Sequence, residues 1–449
     1  MSAIAQVLLE KGYTVSGSDR ARSMLLEPLE RGGARIFIGH RAENVDGADV
    51  VVRSSAIPDS NPEVQEALSR GIPVLKRSEF LGELTSGKTG IAIAGTHGKT
   101  TTTGMLAWML TDLGEDPSFI VGGILKNLHA NAHAGAGRAF VIEADEYDRM
   151  FLGLKPDLIV VTNIEHDHPD CFPTGEEYEQ VFIEFSRQLQ PGGTVIGCLD
   201  DDGACEVLHL CQVEGRKTLS YGLENGADFQ AVHLERNSAG GFSYTILHRS
   251  PTGAKEKVAE LALRVPGEHN VLNSLAAWTA GYQLGLPNEK VSQALNRYSG
   301  AGRRFEIRSE ARGITVIDDY AHHPTEIRAT LAAAHSTYPG RRIWAVWQPH
   351  TYSRTLALEK DFATAFRSAS QVIVTEVFAA REPTRAFSSA ELVEQMDHPN
   401  ATFIRDIPQV VEYLKNNLLR GDVLLVLSAG DADQISTEIA RWMEGGDHA

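Results

Sequence analysis

Apolar and polar positions alternate along the chain with two periods. Short apolar runs at residues 91–94, 139–142, 158–162 and 194–197 are bounded by glycine or polar residues and read as buried parallel strands. Helical patterns separate them, the clearest being 101–113, closed by Gly114, and 269–285, which puts Asn270 and Asn273 on one face. Residues 1–85 repeat the theme: a helix over 4–11 ending at Gly12, then short strands at 13–17, 34–38, 50–53 and 73–75. That is a βαβ array around a parallel sheet. Segments 229–234 and 242–247, joined through 237–241, read as an antiparallel hairpin insert. Beyond Arg303, buried-type strands at 314–317, 342–347, 371–375 and 423–427 alternate with helices, as in a second Rossmann-like unit.

The fold class is therefore α/β with three domains: a Rossmann-like unit over 1–85, a nucleotide-binding core with a mixed sheet over 86–302, and a Rossmann-like C-terminal unit over 303–449. Ser86-Gly87-Lys88 links the first two. The glycine-rich turn expected before the first helix is missing, and the chain starts inside that helix. A doubly wound sheet has its first strand at the centre, so a truncated N-terminal unit, or a misassigned start, is expected to leave a gap there.

Composition narrows the function. The chain has 449 residues, is 42% hydrophobic and 22% charged, and carries a net charge of −17. Such acidity disfavours nonspecific nucleic-acid binding. No run of 18 apolar residues predicts a transmembrane helix, and no basic segment leads into an apolar one, so a cytoplasmic location is expected. Cys171, Cys198, Cys205 and Cys211 form no Cys-x-x-Cys and are expected to be reduced thiols.

The chemistry centres on Gly95-Thr96-His97-Gly98-Lys99-Thr100-Thr101, between a buried strand and a helix. Glycines let backbone N–H groups approach an anion, the helix start adds positive potential, Lys99 adds a charge and Thr100 reaches a divalent cation. The first substrate is thus a nucleoside triphosphate. Two strand ends carry possible ligands for Mg²⁺ or Mn²⁺: Glu143 in Glu143-Ala144-Asp145-Glu146, and His168 in Asn163-Ile164-Glu165-His166-Asp167-His168. Ser18-Asp19 end an early strand, where a carboxylate can meet a ribose hydroxyl. In the last unit, Asp318-Asp319-Tyr320-Ala321-His322-His323-Pro324-Thr325-Glu326 and Gln348-Pro349-His350-Thr351-Tyr352-Ser353-Arg354 follow strands and should face one cleft.

These motifs, with His269-Asn270-x-x-Asn273 and Gly302-Arg303-Arg304-Phe305, occur in the order in which they occur in the Mur ligases of bacterial cell-wall synthesis, which the whole chain resembles. The resemblance implies an ATP-dependent amide ligase. ATP would phosphorylate the lactyl carboxylate of UDP-N-acetylmuramate, and the amine of L-alanine would displace phosphate. It implies that Lys99 neutralises the transferring phosphoryl group and that Thr100 binds Mg²⁺. Glu143 and His168 would hold a second Mg²⁺. Asn270, Asn273 and Arg304 would surround ATP, with Asp319 and Tyr320 reaching it on closure. Arg354 would contact a carboxylate, and His323 would position substrate or accept the amine's proton. A monomer or homodimer is expected. Two features depart from the family pattern: the missing Gly-x-Gly-Gly-x-Gly turn, and Thr351 where some members carry arginine. Competing readings are a recycling ligase that adds a tripeptide to the same sugar nucleotide, and a catalytically silent nucleotide-binding protein. A regulatory GTPase is disfavoured because Asn-Lys-x-Asp does not occur.

Overall fold

A computed structural model describes residues 1–23, 25–250 and 252–445. A ten-stranded sheet forms its centre. From one edge the order is Lys255–Ala262, Phe242–Arg249, Phe229–Arg236, Lys217–Gly222, Thr194–Cys198, Leu158–Val161, Thr89–Ala94, Ala139–Glu143, Ser118–Leu125 and Ala130–His133. The middle strands are parallel and fully buried, which is why they read as continuous apolar runs. Helices Lys99–Asp112, Gly175–Ser186, Asp202–Val213 and His269–Gln283 cover them, and Trp278 and Tyr178 are completely enclosed.

The antiparallel pair anticipated at 229–247 is present but is not an insert. It continues the main sheet from Lys217–Gly222, and a third strand, Lys255–Ala262, finishes that edge. The sequence reading also passed over Ser118–Leu125, because Gly122-Gly123 interrupts it, and Lys255–Ala262, because charges dominate it.

The C-terminal sheet has six strands in the order Glu306–Ala311, Ile314–Asp319, Val423–Leu427, Ile343–Trp347, Gln371–Val374, Ala401–Phe403. Its first strand is the antiparallel Glu306–Ala311, so the Asp318-to-Glu326 loop follows the second strand of this unit, not the first. The polar run Glu-Ile-Arg-Ser-Glu-Ala hid that edge strand.

The N-terminal strands form two separate pairs, in keeping with the gap expected in this sheet. Ser16–Asp19 pairs with Arg35–Ile38 and Val51–Arg53 with Val74–Lys76, both in parallel, and the two pairs are not hydrogen-bonded to each other. This stretch docks on the central core through helix Arg77–Thr85. A Cβ on Gly82 would stand 2.5 Å from the Gly153 carbonyl oxygen, and one on Gly153 would stand 2.1 Å from that of Ser78. Helix Ser2–Glu10 covers the strand Ala130–His133, where Glu10 accepts the Ala134 N–H at 2.6 Å. The four cysteines are unpaired, and no described helix is long and apolar enough to cross a membrane.

Because backbone meets backbone at Gly82, Gly82→Ala is expected to lift the helix off the core. Faster proteolysis at 86–88 and a lower thermal midpoint would show it; unchanged cleavage would refute this account of the docking.

Candidate active site

The phosphate loop leaves strand Thr89–Ala94 and enters helix Lys99–Asp112. Gly95 sits at φ 135° and Gly98 at φ 80°, conformations that L side chains avoid. Space is equally restrictive: a Cβ on Gly95 would lie 2.0 Å from Thr162 Oγ1, and one on Gly98 2.4 Å from Asn273 Oδ1. The loop is fastened from below by residues 162–165. Asn163 Oδ1 accepts the His97 N–H at 2.8 Å while its Nδ2 donates to the His97 carbonyl at 3.1 Å. Thr96 Oγ1 donates to the Glu165 carbonyl and accepts the Glu165 N–H. The backbone is therefore preorganised as an anion cradle.

Thr100 and Glu143, expected from the resemblance to serve different cations, are in direct contact. Thr100 Oγ1 donates to Glu143 Oε1 at 2.9 Å, and Gly122 N–H donates to Oε2 at 2.6 Å. A Cβ on Gly122 would lie 2.7 Å from Glu143, so the Gly122-Gly123 pair opens space for this carboxylate. Two adjacent hard oxygen donors beside a phosphate loop fit Mg²⁺ or Mn²⁺. His168 is elsewhere: Nε2 lies 3.5 Å from Glu146 Oε1 and Nδ1 accepts from Arg354. No shared contact joins His168 to Glu143 among the described residues, so a cation held by both would require His168 to change partners.

Lys99 Nζ is 2.9 Å from Glu146 Oε2 and also donates to the Thr96 carbonyl. Burial opposes charge on Glu146, yet Lys99 and His168 overcome it and hold the carboxyl down at about 2. Arg304 Nη2 approaches Thr100 Oγ1 at 3.4 Å, and its guanidinium lies over the Tyr320 ring. Asn270 and Asn273 are linked at 3.0 Å, and Thr102 Oγ1 donates to Asn273, so this pair supports the phosphate-loop helix from beneath. Thr101 follows on the first helical turn, partly exposed.

The C-terminal loops close the cleft. Arg354, almost fully buried, grips Asp167 along one edge of its guanidinium, Nε to Oδ1 at 2.6 Å and Nη2 to Oδ2 at 3.1 Å, while Nη1 meets His350 Nδ1 at 3.0 Å. Burial pushes the Asp167 carboxyl up, but Arg354 drives it well below the usual range. This guanidinium is thus committed to the protein, which departs from the expected carboxylate contact with substrate. Asp319 is likewise engaged within the protein, accepting the Phe305 and Ala321 N–H groups and the Thr330 hydroxyl, and so shapes the loop that carries Tyr320. His323 caps helix Pro324–Thr337: its Nδ1 accepts the Thr325 N–H, which leaves the proton on Nε2, sealed without a partner. A ring so arranged does not suit the role of base.

Between the units, His97 is clasped by two carboxylates, Glu165 Oε2 at 2.9 Å and Glu326 Oε1 at 3.2 Å. Burial lowers the affinity of His97 for its proton, but the two carboxylates outweigh that and raise its pKa from 6.5 to about 9. Ligand-type atoms of His97, Glu165 and His323 lie within 4.8 Å of one another. They do not make a metal cage, since an imidazole bonded through both nitrogens to carboxylates has no lone pair left. At the far end, Ser18 Oγ donates to Glu63 at 2.7 Å beside His40, while Asp19 is exposed at the strand end.

Sequence reasoning missed Asn163, Glu146, Asp167, Tyr178 and Glu326 as site residues. Glu146 and Asp167 adjoin residues it chose. Glu326 had a legible signal, the N-cap-to-N3 spacing from His323. Tyr178, whose hydroxyl links Thr96 and Glu146, had none.

The His97 clasp has a signed pH dependence. A group with a raised folded pKa stabilises fully below its unfolded value and loses that contribution as pH rises through the folded one. The thermal midpoint is expected to fall between pH 6.5 and about 9, by a contribution on the order of 3 kcal/mol. His97→Gln should flatten that slope; an equal slope in the variant would contradict the clasp.

Comparison with known proteins agrees with this geometry. Residues 1–89 match the family described as Mur ligase family, catalytic domain; 93–281 match the Mur ligase middle domain; 303–430 match the Mur ligase, glutamate ligase domain. The UDP-N-acetylmuramate–L-alanine ligase of Geobacter sp. (strain M21) is 44% identical, across 97% of this chain and 93% of its own. That of Salinibacter ruber is 42% identical, across 99% and 93%. Among solved structures, the UDP-N-acetylmuramate-alanine ligase of Thermotoga maritima superposes with a TM-score of 0.83 at 28% identity, covering 99% of this chain and 97% of that one. A murein peptide ligase from Psychrobacter arcticus gives 0.73 at 25%, covering 100% and 97%. With three family domains in sequence and relatives of this similarity over nearly its whole length, the chain belongs to the Mur ligase family.

Proposed function

We propose that this Mur ligase joins L-alanine to the lactyl carboxylate of UDP-N-acetylmuramate at the expense of ATP, a step of peptidoglycan synthesis. The observation that carries the reading is one cleft that combines a fastened phosphate loop, the Thr100–Glu143 oxygen pair and the imidazole-rich loops of the C-terminal unit. A carboxylate is a poor electrophile at neutral pH, and phosphorylation gives it a leaving group. Residues 1–85 would hold the sugar nucleotide, with Ser18 and Asp19 near the ribose; 86–302 would hold ATP; 303–449 would close over both. The confinement of each sheet to one of these stretches supports the division.

The residues divide the work. Backbone N–H groups of 98–100 cradle the phosphates, those of Thr96 and His97 being spent on Asn163. Lys99 exchanges Glu146 for the transferring phosphoryl group and neutralises it. Mg²⁺, held by Thr100 and Glu143, would supply further neutralisation between the phosphates. Arg304 adds charge beside Thr100, and Tyr320 orients it. Asn270 and Asn273 keep the loop helix in place. Arg354 locks the unit carrying His322 and His350 against Asp167 and His168. The enzyme is read as cytoplasmic and as a monomer or homodimer.

A tripeptide-adding ligase is the second reading, favoured by two tripeptide ligases among its structural neighbours, from Psychrobacter arcticus and Neisseria meningitides. ADP release with UDP-N-acetylmuramate and either L-alanine or the tripeptide separates the two, and release with the tripeptide alone would overturn the proposal. Release with neither amine would point to a silent nucleotide-binding protein. Lys99→Ala is expected to lower kcat by a factor of about 10³ or more, with the fold retained but the thermal midpoint lowered because buried Glu146 loses its counter-charge. Glu143→Ala should act similarly, and added Mg²⁺ should partly offset it. Near-wild-type turnover in either would displace the site.

A further inference from the structure

Four imidazoles come to the cleft on three loops, and their partners decide which nitrogen of each bears the proton. A guanidinium only donates. Arg354 Nη1 lies 3.0 Å from His350 Nδ1 and Nη2 lies 3.3 Å from His168 Nδ1, so both Nδ1 atoms accept and the neutral rings carry their proton on Nε2. His323 is in the same state, its Nδ1 accepting the Thr325 N–H.

His322 is the opposite case. Its Nδ1 lies 2.9 Å from the Tyr320 carbonyl, which only accepts, so that nitrogen is the donor. Glu326 Oε2, 3.5 Å from the same nitrogen, holds the proton there. The lone pair is on Nε2, which has no protein partner among the described residues and is not one of the sealed polar atoms. The ring faces His350 at 5.8 Å and Tyr320 at 5.4 Å, on the cleft side of the loop. Burial, then the charge of Arg354, lowers its pKa to about 4, so the lone pair is available at neutral pH. An imidazole held by Nδ1–H to a carbonyl, with Nε2 free, is the arrangement a general base needs.

We propose that His322 is the base of the second half-reaction, its Nε2 taking the proton that the amine of L-alanine sheds on attacking the acyl phosphate. The neutral amine forms the C–N bond at the carbonyl carbon. The amine proton passes to Nε2. The C–O bond to phosphate then breaks, and phosphate leaves with the bonding pair. The proton on Nε2 is afterwards lost to water or to the departing phosphate. His323, its neighbour, has a structural role as a helix cap. This inference rests on the ligase reading above.

The test uses the full chain with His322→Gln and His322→Ala, and separates the half-reactions. Hydroxylamine, far less basic than L-alanine, captures an acyl phosphate as a hydroxamate with little need of a base. With L-alanine, turnover is expected to fall by about 10²-fold. Hydroxamate formation from ATP and UDP-N-acetylmuramate is expected to stay within about threefold of wild type, and imidazole in the buffer should restore part of the His322→Ala rate. An equal fall in both reactions would show a merely structural role and overturn the proposal, as would full L-alanine turnover in His322→Gln. Wild-type enzyme that forms hydroxamate but no L-alanine product would instead sink the assignment of L-alanine as the amine, a result these variants do not influence.

Discussion

The bidentate pair between Arg354 and Asp167 is the contact on which the rest of the cleft depends. Its partners lie 187 residues apart and follow strands of different sheets, Leu158–Val161 and Ile343–Trp347. Two buried charges gain little net stability together, but removing either leaves the other stranded, at a cost of about 3–5 kcal/mol. Such a pair works chiefly as a specifier of geometry. Because a guanidinium offers only N–H groups, it also dictates the state of the two rings it touches, His168 and His350. One ion pair thereby sets domain apposition and proton location together.

The phosphate loop shows the same economy in backbone form. Gly95 and Gly98 leave no room for a side chain, and Asn163 and Thr96 consume the loop's own polar groups. What remains free is the set of N–H groups that an anion needs. Charge on Lys99 and Glu146 is balanced in place, so the site carries a cation ready to be transferred from carboxylate to phosphate.

Much of this was legible in the chain, and for a local reason. A phosphate loop, Thr100 and a strand-end Glu143 are set by short-range pattern, since strand, turn and helix follow one another in sequence. What escaped depends on distant partners. Arg354 is a rational choice for holding a substrate carboxylate until Asp167 takes one edge of its guanidinium and His350 the other. His322 and His323 are chemically identical in sequence. Only the backbone separates them, making one a helix cap and giving the other a free Nε2. The N-terminal stretch reads as parallel strands with a gap at the centre, and two separate parallel pairs are what it forms.

The covering of strand Ala130–His133 by helix Ser2–Glu10 bears on how the protein behaves in a crowded solution. A large sheet has two rims, and each is a template for joining a second chain. At one rim, Lys255, Glu256, Lys257 and Glu260 discourage pairing by charge. At the other, the guard is the first helix, whose Glu10 takes the Ala134 N–H. The segment that begins the N-terminal stretch therefore doubles as a shield against self-association. Loosening it would expose a bare strand long before the nucleotide core itself gave way.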